Sequence, residues 1–429
     1  MFDNVHGYIR LSEIESRIVR AIVFQRLSRI SQLGLASLVY PGANHSRISH
    51  SMGAMHVVGR VLDNLALNQP SLECKDKQLL RLAVLLHDLG HFPFSHVLER
   101  VMRRNCGDAG RHEAVSSFVL ENNKDWEISK IVRGSGVGED LLNLLKGVYD
   151  GFALYGYLIR SDLDVDRLDF LQRDALHTGV AYGWVDAERI LRTVTVDNPK
   201  DPSFLVIMEK GIPAIENYVF ARYHMYNAVY YHKVVMAFEL MLERLYELLS
   251  DEQDPSEDGK YFLPTFEEIR AMPEEEFMMY DDSYVLARLS RYLKRGKGQI
   301  GKELIRMLYG RTPVVEAYSD LAVTETKALK FDKLAGDVAT ILRNRLAEDS
   351  GVDSNWIFVS EPEVKIVKKD DEEAIYVQKN GGYVKLAEDD RSIVKRLAGL
   401  AMRGYRVFTK AEYVEALKPA IKALESESA

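Results

Sequence analysis

A nearly continuous apolar run, Lys77–Leu86, ends in the words HDLGHFPFSH. This junction constrains the fold more than any other segment. A run of that length and composition forms a helix buried on most of its faces, and Gly90 and Pro93 stop it. His87 and Asp88 therefore sit at the end of a buried helix. A carboxylate there is costly unless it is paired or bound to a metal. Both side chains can ligate one ion. His91 and His96 follow within the same short loop. Histidines that cap helix carbonyls would account for one of these groups, not for three histidines and an aspartate. A further histidine, His50, lies upstream in NHSRISHS, and a further aspartate, Asp166, lies downstream in SDLDVDRLDFLQRD. The order His, His-Asp, Asp gives a mixed nitrogen and oxygen donor set. It suits one divalent ion: Mn, Mg, Fe, Ni or Zn. An open position on such an ion holds a water and lowers its pKa.

The chain has 429 residues, which is long for one core, and 47% of them are hydrophobic. Two or three domains are expected. The formal charge of -8 argues against nucleic acid as the main partner. It leaves room for a local basic pocket that takes a small anion. FDNVHGYIRL lacks the basic start and apolar run of a signal peptide, and no apolar stretch is long enough to span a bilayer. The two cysteines, Cys74 and Cys106, have no CxxC partner, so neither a zinc knuckle nor a disulfide framework is expected. A reducing, cytoplasmic setting without a membrane partner fits these features. Seven of the eleven histidines lie between His45 and His112, so the chemistry is expected there.

The first 250 residues read as helical. RIVRAIVFQRLSRISQLG has apolar residues at three- and four-residue spacing. Ser49 or Ser51 precedes a second such run, MGAMHVVGRVLDNLAL. HEAVSSFVLENN continues the pattern after Arg111. Ser161 is placed to N-cap a helix through Asp166 and Arg173. Ala214 to Leu249 reads as one or two long helices. The acidic, polar stretch Ser250 to Lys260 reads as a domain boundary or exposed loop. Helical pattern returns over 261–350. From Trp356 the words WIFVS, EVKIVKK and AIYVQKNGGYVKLA read as short strands with NGG as a hairpin turn. From Asp389 the order expected is helix, short strand YRVF, helix. The division expected is therefore 1–250, 251–350 and 351–429.

Spacing alone leaves open which of His45, His50 and His56 is a ligand, because no two share one clean helical face. Asp166, Phe170 and Asp174 stack at four-residue steps, with Arg167 and Arg173 beside them. Asp and Arg mixed around a metal suit phosphate, whose oxygens both neutralise. RYHMYNAVYYHKVV interleaves Arg222, His224, His232 and Lys233 with Tyr226 and Tyr230. It reads either as a core stripe or as a nucleotide site in which rings stack and cations hold phosphates. GSGVG at 134–138 lacks the Lys-Ser/Thr ending of a P-loop. No GxSxG elbow and no HExxH occurs.

Six words, FQRLSRISQLG, VYPGANHSRISHSMGAMH, LLHDLGHFPFSH, RHEAV, DVDRLDFLQRDALHTG and RYHMYNAVYYHKV, occur in order over the first 240 or so residues. In this the chain resembles the HD-domain deoxynucleoside triphosphate triphosphohydrolases, the family that includes bacterial dGTPases and an animal enzyme with a sterile-alpha-motif domain. The resemblance implies a mainly α fold, with an HD-domain helical core and a smaller α+β C-terminal region. It makes His50, His87, Asp88 and Asp166 the metal ligands and His96 and His112 the catalytic histidines. Glu99 stands where the family commonly has Asp. Arg47, His91, Arg167, Arg222 and Lys233 match positions at or beside the phosphates. Phe170 stands where the animal enzyme has Tyr, and Arg167 where it has Lys. Gln32 and Asp174 match groups that read the sugar 3′-hydroxyl. Tyr230 matches the ring under the sugar, and His232 follows it.

The family's reaction converts a dNTP to deoxynucleoside and inorganic triphosphate. The resemblance also implies a homodimer or homotetramer. Some members bind a regulatory nucleotide between subunits, and DNVHGYIRL resembles part of that site. Arg20 and Ser28 stand where the animal enzyme reads guanine with an Asp and an Arg, so guanine-specific control is not expected. Two rivals remain: an HD nucleotidase or phosphodiesterase acting on another nucleotide, and a non-catalytic nucleotide or nucleic-acid binding module.

Overall fold

The computed structural model describes residues 1–68, 77–149, 153–257, 259–325, 337–367 and 373–428. Cys74 and part of EVKIVKK lie outside them. The chain is mainly α, with a smaller α+β region towards its C-terminus. It divides into two compact units that interleave in sequence. The first holds Met1–Met225, Phe266–Leu286 and Val367–Ala398. The second holds Tyr226–Thr265, Ala287–Ile366 and Gly399–Ala429. These boundaries differ from the three-part division read from the sequence. Long-range bonds are the reason: Asp282, far along the chain, accepts from the backbone N–H of Ser31 and of Phe94 at 2.9 and 2.6 Å.

The first unit is built on three packed helices, Arg47–Asn68, Lys77–Leu86 and Val165–Thr178. Lys77–Leu86 has the bounds read from the sequence, and all but three of its residues are buried. Arg47–Asn68 starts ahead of the serines expected to open it. Gly53 on that helix is required by packing, because a Cβ there would collide with the Asp169 carboxylate and the Arg173 guanidinium. Gly90 plays the same part behind His87-Asp88, where a Cβ would strike the backbone of His112 and Ser116. Val165–Thr178 is N-capped by Asp164, not by Ser161; Asp164 accepts from the Arg167 N–H at 2.7 Å, while the Ser161 hydroxyl accepts from Leu163 N–H. RIVRAIVFQRLSRISQLG is not one helix. It breaks at Ala21 into Ile22–Gln25 and a 3₁₀ turn, Arg26–Arg29.

A four-stranded sheet completes this unit in the order Gly382–Lys385, Tyr376–Lys379, Leu205–Ile207, Val194–Val196. The central pair is parallel and the outer pairs antiparallel. NGG is the expected hairpin, with Asn380 at φ 50° and Gly381 at φ 83°. The N-terminus forms a two-stranded ribbon, Phe2–Asp3 with Gly7–Tyr8.

The second unit holds helices Lys233–Asp251, Gln299–Tyr309, Val338–Ser350 and Val414–Ser428, with two antiparallel three-stranded sheets. Among its described residues the Ser250–Lys260 stretch is mostly exposed, in keeping with the boundary or exposed loop read from the sequence, but it is anchored at one point. Asp254 is buried and accepts from Ser256 and Arg291.

One helix residue ties stability to pH. Burial, then the positive charges of His6, Arg60 and Arg81, pull the His56 imidazole down to about 4. Below about 6.5 the unfolded chain takes up a proton that the folded one refuses until about 4. This group's contribution is therefore complete above pH 6.5 and lost as pH falls towards 4, by roughly 1–2 kcal/mol once solvent screening of the half-buried ring is counted. His56→Gln should lose less stability than the parent between pH 7.5 and 4.5, read from urea midpoints. Equal losses would contradict this.

Candidate active site

His87 and Asp88 leave the end of the Lys77–Leu86 helix together. His87 Nδ1 donates to the Val84 carbonyl at 2.6 Å, so Nε2 turns inward, 3.1 Å from Asp88 Oδ1 and 3.3 Å from Asp166 Oδ1. His50 is fixed in the same sense. Its Nδ1 donates to Asp169 Oδ2 at 2.8 Å, and its Nε2 lies 2.6 Å from Asp166 Oδ1 and 3.7 Å from Asp88 Oδ2. Ligand atoms of His50, His87 and Asp166 lie within 4.8 Å of one another. An imidazole whose Nδ1–H is held by an oxygen presents its Nε2 lone pair, the arrangement of a histidine ligand. Two such nitrogens and two carboxylates fit a divalent cation. Burial opposes protonation of His50 and His87, but Asp166 with Asp169 raises the first to about 10, and Asp88 with Asp166 raises the second to about 9. Such a concentration of negative charge favours a cation.

Beside this group stands a second. Glu99 Oε2 accepts from His96 Nδ1 at 2.8 Å and from His112 Nδ1 at 3.1 Å. The two histidines open the helices His96–Cys106 and His112–Asn122. His91 is fully buried and stacks on His112 with centroids 3.9 Å apart. Its Nε2 lies 3.3 Å from Asp88 Oδ1, a contact of charge with dipole and not an aligned hydrogen bond. The turn that delivers His96 is strained: Phe94 and Ser95 both have φ near 57°. Non-glycine residues in that region cost about 1–3 kcal/mol each. Arg47 holds the turn, donating from Nε to Ser95 Oγ at 2.9 Å and from Nη1 to Asp88 Oδ2 at 2.7 Å.

The two histidines of the second group are driven apart. Partial desolvation at the cavity wall, with Arg47 and His112 adding to it, outweighs Glu99 and lowers His96, although 59% of its side chain faces solvent. For His112, burial is overcome by Glu99 and Asp88, and the imidazole is raised. Glu99 is held below the usual carboxylate range: burial pushes up, and both histidines push down harder.

Both groups open on one cavity of about 450 Å³. Of the residues singled out in the sequence, Arg47, His87, Asp88, His91, His96, His112, Asp166 and Arg167 line it. Gln32, Phe170, Asp174 and Arg222 belong to the same unit but do not. Asp174 pairs with His45 at 2.8 Å, Arg222 with Asp162 at 2.8 Å, and Phe170 stands edge-on to His50. The backbone of Gln32 bonds to His45 and Arg47. Tyr230, His232 and Lys233 belong to the second unit, where the Tyr226 and Tyr230 rings meet at 4.9 Å and His232 precedes the helix that Lys233 opens.

The sequence reading missed several groups. Arg111, Tyr149, Arg160 and Asp164 also line the cavity. Burial, then Asp166 and Asp162 against Arg167, raises the Asp164 carboxyl. Arg173 does not line the cavity but is buried in ion pairs with Asp169 and Asp3. Only the three-residue step from Asp166 to Asp169 hinted at a second carboxylate behind His50.

A helical core that gathers two histidines and two aspartates in this order has the form of an HD domain. The HD domain model matches residues 47–156, and the model of the HD associated region matches 185–425. The chain belongs to the family of HD-domain proteins that carry this associated region. An uncharacterised protein of Methanocaldococcus jannaschii is 31% identical over 389 residues, 90% of this chain and 73% of that one. One from Bacillus subtilis is 37% identical, but the match spans 57% of this chain and only 54% of that protein. A Dictyostelium discoideum protein named as a deoxynucleoside triphosphate triphosphohydrolase SAMHD1 homologue is 26% identical, over 81% of this chain and 65% of its own length. The solved structure of a Bacteroides thetaiotaomicron phosphohydrolase superposes with a TM-score of 0.72 at 26% identity, covering 96% of this chain and 99% of that one. The fold is thus that of an HD-domain phosphohydrolase. Among the described residues no helix is long and apolar enough to cross a membrane.

Proposed function

We propose that the chain hydrolyses deoxynucleoside triphosphates, dGTP among them, to deoxynucleoside and inorganic triphosphate. The observation that carries this is the single cavity lined by His87, Asp88 and Asp166, by His96 and His112, and by Arg47 and Arg167. The name of the Dictyostelium relative supports the substrate class. His50, His87, Asp88 and Asp166 would hold a divalent ion, which would neutralise phosphate charge and polarise the phosphorus towards water. Arg47 and Arg167 add positive charge where negative charge develops. His112, the imidazole raised by its surroundings, donates a proton to the departing 5′-oxygen. His96, the lowered one, stays neutral beside it. Glu99 holds both rings by Nδ1, so their Nε2 atoms are the ones that meet substrate. Environments that drive two titratable groups apart assign acid and base in this way. Assembly as a homodimer or homotetramer, and control by a regulatory nucleotide, belong to the same reading.

The test is incubation with each dNTP and Mn or Mg, with products resolved by chromatography. Inorganic triphosphate is expected, and its absence from every dNTP and metal overturns the reading. Glu99→Gln should lower turnover about a hundredfold without changing bound metal. A second reading is an HD phosphohydrolase acting on another nucleotide ester. It is favoured by one observation: Gln32, Phe170, Asp174 and Arg222 do not line the cavity. Release of orthophosphate from monophosphates would support it.

A further inference from the structure

The N-terminal ribbon reaches the interior of the first unit at two points. Asp3 accepts from the backbone N–H groups of Val5 and His6 at 2.9 Å each, and so closes the turn. Its carboxylate also accepts from Arg173 at 2.8 and 3.2 Å. His6 Nε2 lies 2.6 Å from Asp169 Oδ1. Asp169 is fully buried, and its oxygens also accept from Arg173 at 2.9 and 2.8 Å and from His50 Nδ1 at 2.8 Å. His50 Nε2 then meets Asp166 at 2.6 Å. A continuous line of short bonds thus runs from His6 in the ribbon, through Asp169, to His50.

We propose that His6 is a positioning residue for the metal centre: through Asp169 it fixes the ring plane and tautomer of His50, so that Nε2 faces the cation. The inference rests on reading His50 as a ligand. Three side chains hold the Asp169 carboxylate, and each controls a different freedom. Arg173 grips both oxygens from its own helix, one turn away, and keeps the carboxylate ionised. His50 is the group being oriented. His6 is the contact from outside the helix pair, closing on the oxygen that His50 does not use. Removing it leaves the Asp169–Arg173 pair, and hence the fold, but frees the carboxylate to swing on that pair. Groups that orient a histidine ligand in this way typically contribute 10–100-fold to metal affinity. Coupling of this kind is reciprocal, so an ion at His50 also secures the ribbon.

Co(II) is a suitable probe, because its visible absorption reports ligation by imidazole. His6→Leu should weaken Co(II) binding roughly 10–100-fold. His6→Gln, which keeps an N–H donor near the Nε2 position, should recover most of it. Tyr8→Ala, which alters an exposed ring of the same ribbon (81% exposed), should bind as the parent does. Amide exchange over residues 1–9 should slow when Co(II) is added to the parent and not to His6→Leu. Equal Co(II) affinity in parent and His6→Leu, with ribbon exchange indifferent to the ion, overturns the inference while leaving the ligand reading intact. If the parent binds no Co(II), the ligand reading falls and this inference with it.

Discussion

Asp88→Asn should leave a folded chain that no longer retains a divalent ion and turns over its substrate on the order of a thousandfold more slowly. Asp88 is 2% exposed, and its two oxygens serve two different sets of groups. Oδ2 accepts from Arg47 at 2.7 Å. Oδ1 lies 3.1, 3.3 and 3.6 Å from the Nε2 atoms of His87, His91 and His112. Burial alone would push this carboxyl up. His87, Arg47 and His91 together hold it well below the usual carboxylate range, so it is ionised at every working pH. The amide has the same shape and lacks the charge. Of the two carboxylates facing the cation, Asp166 alone then remains, beside His50 and His87. A bound ion supplies several kcal/mol of charge stabilisation to phosphoryl chemistry, and each 1.4 kcal/mol is a factor of ten. Breaking a buried pair by removing one partner costs about 3–5 kcal/mol, and the amide's own hydrogen bonds should keep the loss below that range. Metal content, turnover and urea midpoint report the three effects separately. A variant that keeps one ion per chain and parental turnover would remove Asp88 from the centre.

The same residues show what could be read in advance. The His87-Asp88 turn was legible because its cause is local: an apolar run, then Gly and Pro. The NGG hairpin was legible for the same reason. The choice among His45, His50 and His56 was not. What sets them apart is partners more than a hundred residues away, Asp174 for His45 and Asp166 with Asp169 for His50, while His56 meets the His6 ring. The matched family words supplied His50, but they gave Arg111, which opens RHEAV, no role, and no sign of Tyr149 and Arg160 on the cavity wall. The N-terminal ribbon was invisible because each strand spans two residues, too short for alternation to show. The interleaved units escaped notice because segment composition carries no record of which distant segment returns to pack.

Arg26 is the clearest case of such a return, and Arg26→Met should cost about 3–5 kcal/mol of stability. In RIVRAIVFQRLSRISQLG it looks like a solvated arginine on an amphipathic helix. In the fold it is 1% exposed, and the break of that helix into a 3₁₀ turn accompanies its inward path. Nε donates to the Tyr280 carbonyl and Nη2 to the His91 carbonyl, each at 2.6 Å; Nη1 reaches the Leu89 carbonyl at a weaker 3.4 Å. The guanidinium also lies 4.5 Å over the Phe277 ring. Burial lowers it to about 10, so it still carries its charge at neutral pH. Methionine would fill much of the volume but strand two well-bonded buried carbonyls, each worth roughly 1–3 kcal/mol when left without a donor. Lysine offers a point charge without the fork. It should satisfy one carbonyl and fall between parent and Met. Leu89 and His91 directly follow the His87-Asp88 pair, so the loss should reach the site: Arg26→Met should bind Co(II) more weakly as well as unfold at lower urea. A stability loss under about 1 kcal/mol would mean that water replaces the guanidinium at these carbonyls. The turn that carries His87 and Asp88 would then be held by its own helix, not by the segment that returns to it.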